Sequence, residues 1–519
     1  MKIANIMCFA RCYNAVDYQF LGTKMELEMT TETGVDHTFL LQYDAICNQQ
    51  YQQLFREKAT ERTEIGLWLE IVEPLTTACG MPYRRETGVK WDYHIIPGFL
   101  MGYTPRERET LVDEAMRKFK EVFGYYPKTV ACWLMDTHTI NYLTDHYEIS
   151  TLAICRDQVN FDAYTLIGGY FNQAYYPSRN NMFTPAQSDM CRVNVPIFRL
   201  LGACPIHNYE RKKYMAPGTP ACCTLEPVWC TPECFHGIFK SYYENESLGF
   251  SYAQFGQENG MPVPTLIDNL RYQLEKLMVT DDVQILKMSE TGELFKKTFP
   301  GKTPATAVTA TENWNTEDVQ SVYYDSEKYV ANIFRYEDSI FIRSLFLFDE
   351  TVEDHYIRDV CTTSDAIYEN LPIVNTQLWF DHDEKKNCGL VLDSRAEAFT
   401  VEKVGDGALK VAWKDKYVQF EEHRILCKTN KIRFCLGDKV LQVGAELVDH
   451  NNNGNKFYVN PKPEIRVVGN AIEYEYKGNK YFLNVENASI DFTGDSVIEL
   501  TAISEDGWMY LYPDTHSYS

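Results

Sequence analysis

The stretch 64-EIGLWLEIVEPL-75 decides how the chain is read. Its first half is an apolar run of strand length and its second half starts a helix, with Glu70 and Glu73 where one gives way to the other. A buried strand feeding a helix is the repeating unit of a parallel sheet with helical crossovers. If such units close into a β/α barrel, the carboxyl end of each strand forms the functional face. Glu70 then stands on that face, and Glu73, one turn into the helix, serves the helix dipole.

The same alternation runs outward in both directions. IANIMCFA precedes a helix-like stretch near 16–30, HTFLLQY precedes another near 48–60, and TVACWLM leads into a short helix around 137–146. The helix of 105-PRERETLVDEAMRKFKEVFG-124 is the clearest, with Thr104 as N-cap, Pro105 at its first position and Gly124 as its stop. ISTLAIC, VNVPIFRLL, CCTLEP, GFSYAQFGQ and VQILKM supply further strands, and 263-VPTLIDNLRYQLEKLM-278 a further helix. Beyond about residue 305 the pattern changes to alternating aromatic and β-branched segments between GDG, NNNGN and KGNK turns, which predicts an all-β region of sandwich type. The fold class is therefore α/β plus all-β: a barrel domain over 1–300, a β-rich module over 301–395, and a β-sandwich-like module over 396–519.

Composition excludes several functions. The 519 residues carry 73 acidic against 50 basic side chains, a net charge of −23, with no basic run to offset it. Nucleic acid and acidic membrane surfaces are excluded as partners on that ground. Sixteen cysteines spread without a frame read as free thiols, and with no apolar run of membrane-spanning length the expected location is cytoplasmic. Cys222, Cys223, Cys230, Cys234 and His236 lie close together, but their spacing fits no standard zinc finger or ribbon.

Reading off the carboxyl ends of the strands yields the candidate site. Asp44, Glu70, Asp136, Asp157, Arg199, Glu226 and Glu258 recur there, with Gln257 beside the last and Trp68, Trp91, Trp133 and Tyr43 close by. One such carboxylate is ordinarily a helix cap, but a ring of six with aromatics defines a cleft. Sugar rings offer C–H faces to aromatics and hydroxyls to carboxylates, and glycoside hydrolysis takes two carboxyl groups. The expected catalytic set is Asp136, Glu258, Glu70 and Asp157. The expected substrate contacts are Asp44, Trp68, Trp91, Asp92, His94, Trp133, Arg199, Glu226 and Gln257. His94 and His138 are the histidines near the face, and each is read first as a hydrogen-bonded structural residue. Arg156, Arg179 and Arg199 stand ready to bind a substrate carboxylate or to pair with the acids.

The segments TFLLQYD, EIGLWLEIVEPL, WDYH, YTPRERETLVDEAMRKFKEVFGYYPKTV, CRDQ, GGYFNQAYYPSRNN, VPIFRLLG and GQENG resemble an uncharacterised bacterial family whose members carry a glycoside hydrolase label. That family looks related to the polysaccharide-deacetylase and family-57 or family-38 glycosidase superfamily. The resemblance covers roughly residues 1–300 and implies an irregular seven-stranded barrel. Where the deacetylases carry GNHTxxHPxL with two metal-binding histidines, this chain has EIGLWLEIVEPL, and its first strand lacks their paired aspartates. The His-x-Asp pair of the mannosidase zinc site is missing as well. Family-57 enzymes place a glutamate nucleophile on strand four and an aspartate acid on strand seven; by position these correspond to Asp136 and Glu258, with the residue types exchanged. The reading is a metal-independent glycoside hydrolase with no cofactor, acting on an oligosaccharide or glycoside. The alternatives are a non-catalytic carbohydrate-binding protein and a metal-dependent deacetylase-like hydrolase built on Asp44, Asp92 and His94.

Overall fold

The computed structural model describes residues 1–12, 16–84, 95–161, 164–200, 205–206, 227, 230–258, 260–312, 318–362, 366, 368–380, 386, 388–437, 442–443, 458–459, 462–493 and 496–518. The amino-terminal half is a curved sheet of parallel strands. In chain order these are β1 (Lys2–Ala10), β2 (His37–Gln42), β3 (Thr63–Trp68), β4 (Thr129–Ala131), β5 (Thr151–Cys155), β6 (Ile197–Leu200) and β7 (Ser251–Phe255). They lie in the order β7-β1-β2-β3-β4-β5-β6, and Val283–Ile285 also pairs with β1. Seven parallel strands match the barrel expected from the sequence. Helices cover their outer side, so β1, β2 and β5 are buried almost throughout, as parallel strands covered on both faces must be.

Local chemistry sets the helix ends. Pro105–Phe123 begins with a reciprocal capping box between Thr104 and Glu107 and stops at Gly124, whose φ of 86° suits glycine. β4 is shorter than TVACWLM predicts. Its extension nevertheless stays bonded, because the Cys132 N–H donates to the Ala153 carbonyl and the Cys155 N–H to that of Trp133.

Among the described residues β6 and β7 do not pair with each other, and a side chain bridges them. The short strand Ala174–Tyr175 runs antiparallel to β6. Next to it, the buried Gln173 amide donates to the Tyr252 carbonyl (3.3 Å) and accepts from the Tyr252 N–H (3.0 Å). Gln173 thus supplies a rung of the kind a strand backbone would give.

The carboxyl-terminal half is antiparallel. One sheet runs Thr306–Ala310, Val319–Asp325, Tyr329–Tyr336, Ser339–Leu347, Gly389–Asp393, Lys431–Cys435, Val497–Ala502, Ala488–Phe492, with Leu371–Asn375 beside Ser339–Leu347. The other runs Thr400–Gly405, Ala408–Trp413, Lys416–Glu421, Arg424–Lys428, Trp508–Asp514, Asn479–Glu486, Ala471–Tyr476, Glu464–Val468. The first sheet therefore takes strands from both sides of residue 395. It also packs on the barrel: Phe171 stacks on Tyr323 with centroids 3.4 Å apart, and the Phe171 N–H donates to Asp325 (2.7 Å).

Candidate functional site

At the carboxyl ends of the strands three buried arginines meet carboxylates: Arg11 just past β1, Arg199 on β6, and Arg108 from the helix Pro105–Phe123. The first group gathers where β1, β2, β3 and β7 finish. Arg11, just past β1, holds Nη2 3.5 Å from Glu70 Oε2 and Nη1 3.7 Å from Glu258 Oε1. Glu70 Oε2 accepts hydrogen bonds from Gln42 Nε2 (3.0 Å) and Trp68 Nε1 (2.9 Å), so two donors and the Arg11 charge, from three strand ends, converge on one oxygen. Glu258 reaches this group because Gly256 turns the chain at a φ of 113°. A Cβ there would fall 2.0 Å from the Met7 carbonyl oxygen. That close approach lets the Gln257 carbonyl accept from the Phe9 N–H (3.1 Å), which sets Glu258 beside β1.

Asp44 joins from the first turn of the short helix Tyr43–Cys47 after β2. Its Oδ1 accepts from the Ala45 N–H (2.7 Å), while its buried Oδ2 has no hydrogen-bond partner among the described residues. Burial raises the Asp44 carboxyl to about 6, opposed by the hydrogen bonds from Ala45 and Cys12 and assisted by the charge of Glu70. Asp44 thus holds its proton to higher pH than an ordinary aspartate.

Trp68 and Trp133 lie beneath this group. Phe9 stacks on Trp68 with centroids 4.2 Å apart, Trp133 meets Trp68 edge-on at 4.4 Å, and the Arg11 guanidinium lies 5.5 and 5.3 Å from the two indoles. Both tryptophans are buried, and their rings pack on one another, Phe9 and Arg11.

The second group stands at β4. Asp136 caps the helix Thr137–His146: Oδ1 accepts from the Thr139 N–H (2.9 Å) and from Arg108 Nη1 (3.0 Å), and Oδ2 accepts from Thr139 Oγ1 (2.7 Å). Arg108 also donates to the carbonyls of Tyr356 and Asp359 in the β region. Alongside, Thr137 Oγ1 donates to Asp354 (2.7 Å), and burial raises the Asp354 carboxyl to about 6. The third group stands at β5 and β6. Arg199 donates to Asp157 (2.6 Å) and to the carbonyls of Cys155 and Tyr170 (2.8 Å each), and Asp157 accepts from the Gly168 N–H (2.9 Å).

The structure thus brings Glu70, Glu258, Gln257 and Trp68 together around Arg11, with Asp44 in electrostatic reach. Asp136 and Asp157 belong to separate groups. Trp91, Asp92, His94 and Glu226 lie outside the described residues. Of the remaining candidates, Arg179 pairs with Asp145 (2.7 Å) at the surface, and His138 Nε2 meets Glu109 (3.1 Å). Cys230 and Cys234 are free and buried, while His236 Nε2 meets the Tyr272 hydroxyl (2.5 Å); Cys222 and Cys223 lie outside the described residues.

Arg11, Gln42 and Arg108 were missed as site residues. Arg11 obeys the same rule that found Glu70, since it too follows directly on a barrel strand. A divalent cation of the deacetylase kind does not fit the described residues of this mouth, because the Arg11 guanidinium lies between Glu70 and Glu258. Among the described residues, the group whose ligand atoms lie within 4.8 Å of one another is Asp354, His355 and Glu369, in the β region. There His355 Nδ1 already pairs with Glu369 (2.6 Å). No helix of the described residues is long and apolar enough to cross a membrane.

No protein-family model matches the chain, and no curated protein does. Among solved structures, a candidate glycoside hydrolase/deacetylase from Parabacteroides distasonis is similar over 74% of this chain and 93% of its own, at 13% identity and a TM-score of 0.55. A candidate polysaccharide deacetylase from Mycobacterium smegmatis matches over 57% of this chain and 90% of its own, at 12% identity and a TM-score of 0.37. The Parabacteroides likeness shows that the two chains share a fold.

Proposed function

We propose that the chain is a carbohydrate-active hydrolase whose reacting groups surround Arg11. The observation that carries this reading is one buried guanidinium between Glu70 and Glu258, with the Asp44 acid close by. Asp44, protonated below about pH 6, donates a proton to the leaving glycosidic oxygen. Glu70 or Glu258 then acts at the anomeric carbon, as nucleophile or as base toward water. Arg11 holds both carboxylates in position and supplies the positive charge between them, so this mechanism calls on no metal. The name carried by the Parabacteroides structure belongs to the same class of chemistry.

Asp136, the sequence-based partner of Glu258, has both oxygens occupied by Arg108 and Thr139, and we assign it to holding the barrel and β region together. The test is turnover of a panel of aryl glycosides by Glu70→Gln, Glu258→Gln and Asp136→Asn proteins. The first two should lose activity by about a thousandfold with stability retained. Full activity in Glu70→Gln and Glu258→Gln would remove the proposal.

A further inference from the structure

The barrel tryptophans are buried, yet a second set of aromatics stands on the solvent side of the β region. In the strand Trp508–Asp514 burial alternates strictly: Met509 and Leu511 are buried in the core, whereas Trp508, Tyr510 and Tyr512 are half-buried on the opposite face. Their rings follow one another at 5.3 and 5.9 Å, and Tyr518, 52% exposed, extends the row at 5.4 Å. The outward face of an antiparallel sheet ordinarily carries polar side chains. Four consecutive rings on it are a departure that the core does not require.

The row is interleaved with fixed polar groups. The Tyr512 hydroxyl donates to Glu486 (2.6 Å) and the Tyr518 hydroxyl to Asp514 (2.6 Å), so both rings are held in place. Arg424 lies 4.3 Å over Tyr510 and is itself held by Glu421 (2.6 Å). Its guanidinium thus lies over the middle of the three aromatics on the strand. Apolar ring faces alternating with a guanidinium and carboxylates suit a ligand whose own surface alternates between C–H faces and hydroxyls. A polyanion is disfavoured by the net charge of −23, and a purely apolar partner by Arg424 and Glu486.

We infer that this face, centred on Trp508, Tyr512 and Tyr518 with Arg424 and Glu486 as hydroxyl partners, binds a neutral glycan chain at a site separate from the barrel mouth. The choice of glycan over other amphipathic ligands rests on the carbohydrate reading of the barrel; the existence of the site rests on the row itself. Held rings lose little freedom on binding, which favours association.

The test is affinity electrophoresis of the full chain through gels containing soluble neutral polysaccharides: glucans, xylans, mannans and galactans. At least one should retard the protein, and Trp508→Ala with Tyr512→Ala should weaken that retardation about tenfold or more, the scale of two lost ring contacts. Trp508→Phe should restore much of it, which separates ring contact from misfolding. Glu70→Gln should be retarded like the unaltered protein even if it has lost turnover, so binding here and chemistry in the barrel fail independently. No retardation by any polysaccharide, or equal retardation of the Trp508→Ala, Tyr512→Ala protein, would overturn the inference. So would retention of that protein's mobility shift alongside its loss in Glu70→Gln, because the barrel would then be the binding site.

Discussion

Two halves of the barrel mouth place buried arginines against carboxylates and use them differently. On the β4–β6 side, Arg108 meets Asp136 at 3.0 Å and Arg199 meets Asp157 at 2.6 Å, and both arginines also bond carbonyl oxygens. On the β7–β3 side, Arg11 meets two carboxylates at 3.5 and 3.7 Å. The short pairs satisfy their charges where the β region docks. The longer pairing sets a charge between two acids without drawing either into a tight fork, which suits groups that must exchange partners during a reaction. On the proposed function, carboxylates at the same end of the same sheet divide into a foundation and a workplace.

The largest test of this division exchanges the two sides. Asp136→Asn should leave the rate constants within a small factor while lowering the thermal midpoint, whereas Glu258→Gln should do the reverse, with about a thousandfold lost turnover. Next in size, Arg199→Met removes the guanidinium 2.6 Å from the buried Asp157 and should cost about 3–5 kcal/mol in chemical denaturation. A loss well under that would show that the third group is not a foundation.

The pH response sharpens the comparison further, because burial raises aspartic acids on both sides: Asp44 on one, Asp354 and Asp325 on the other. For both Asp44 and Asp354 the folded value of about 6 lies above the ordinary one. Their contribution to stability is complete below the unfolded value and is lost as pH rises through about 6. Thermal midpoints should therefore fall over that window, and Asp44→Asn and Asp354→Asn should each flatten part of the slope. Activity should fall over the same window because Asp44 loses its transferable proton, and Asp354→Asn should leave that activity profile unmoved. The smallest effect is expected at the joint between the two sides, where Gln173→Leu should cost about 1–3 kcal/mol by orphaning the Tyr252 amide.

Much of the fold was legible because it is written in local pattern. EIGLWL, HTFLLQ and TLAIC are apolar runs of strand length, and Thr104 through Gly124 contain both helix signals; the structure places elements there. Glu70 was legible by the same rule, as the residue following a strand. The use of Asp136 was not, because its partner Arg108 looks like any other helix residue until the helix docks on Tyr356 and Asp359, about 250 residues further on. Trp68 and Trp133 read as cleft aromatics because strand-end position gives no orientation. Their rings turned inward on Phe9, a contact between three separate strands that no local pattern records.

Among the described residues the β6–β7 gap is bridged at Gln173 by two hydrogen bonds to the Tyr252 backbone, so this side chain is one point at which an opening of the ring can be followed. The Tyr252 N–H, donated to that side chain, makes hydrogen exchange at one amide a direct reading of how often the ring opens.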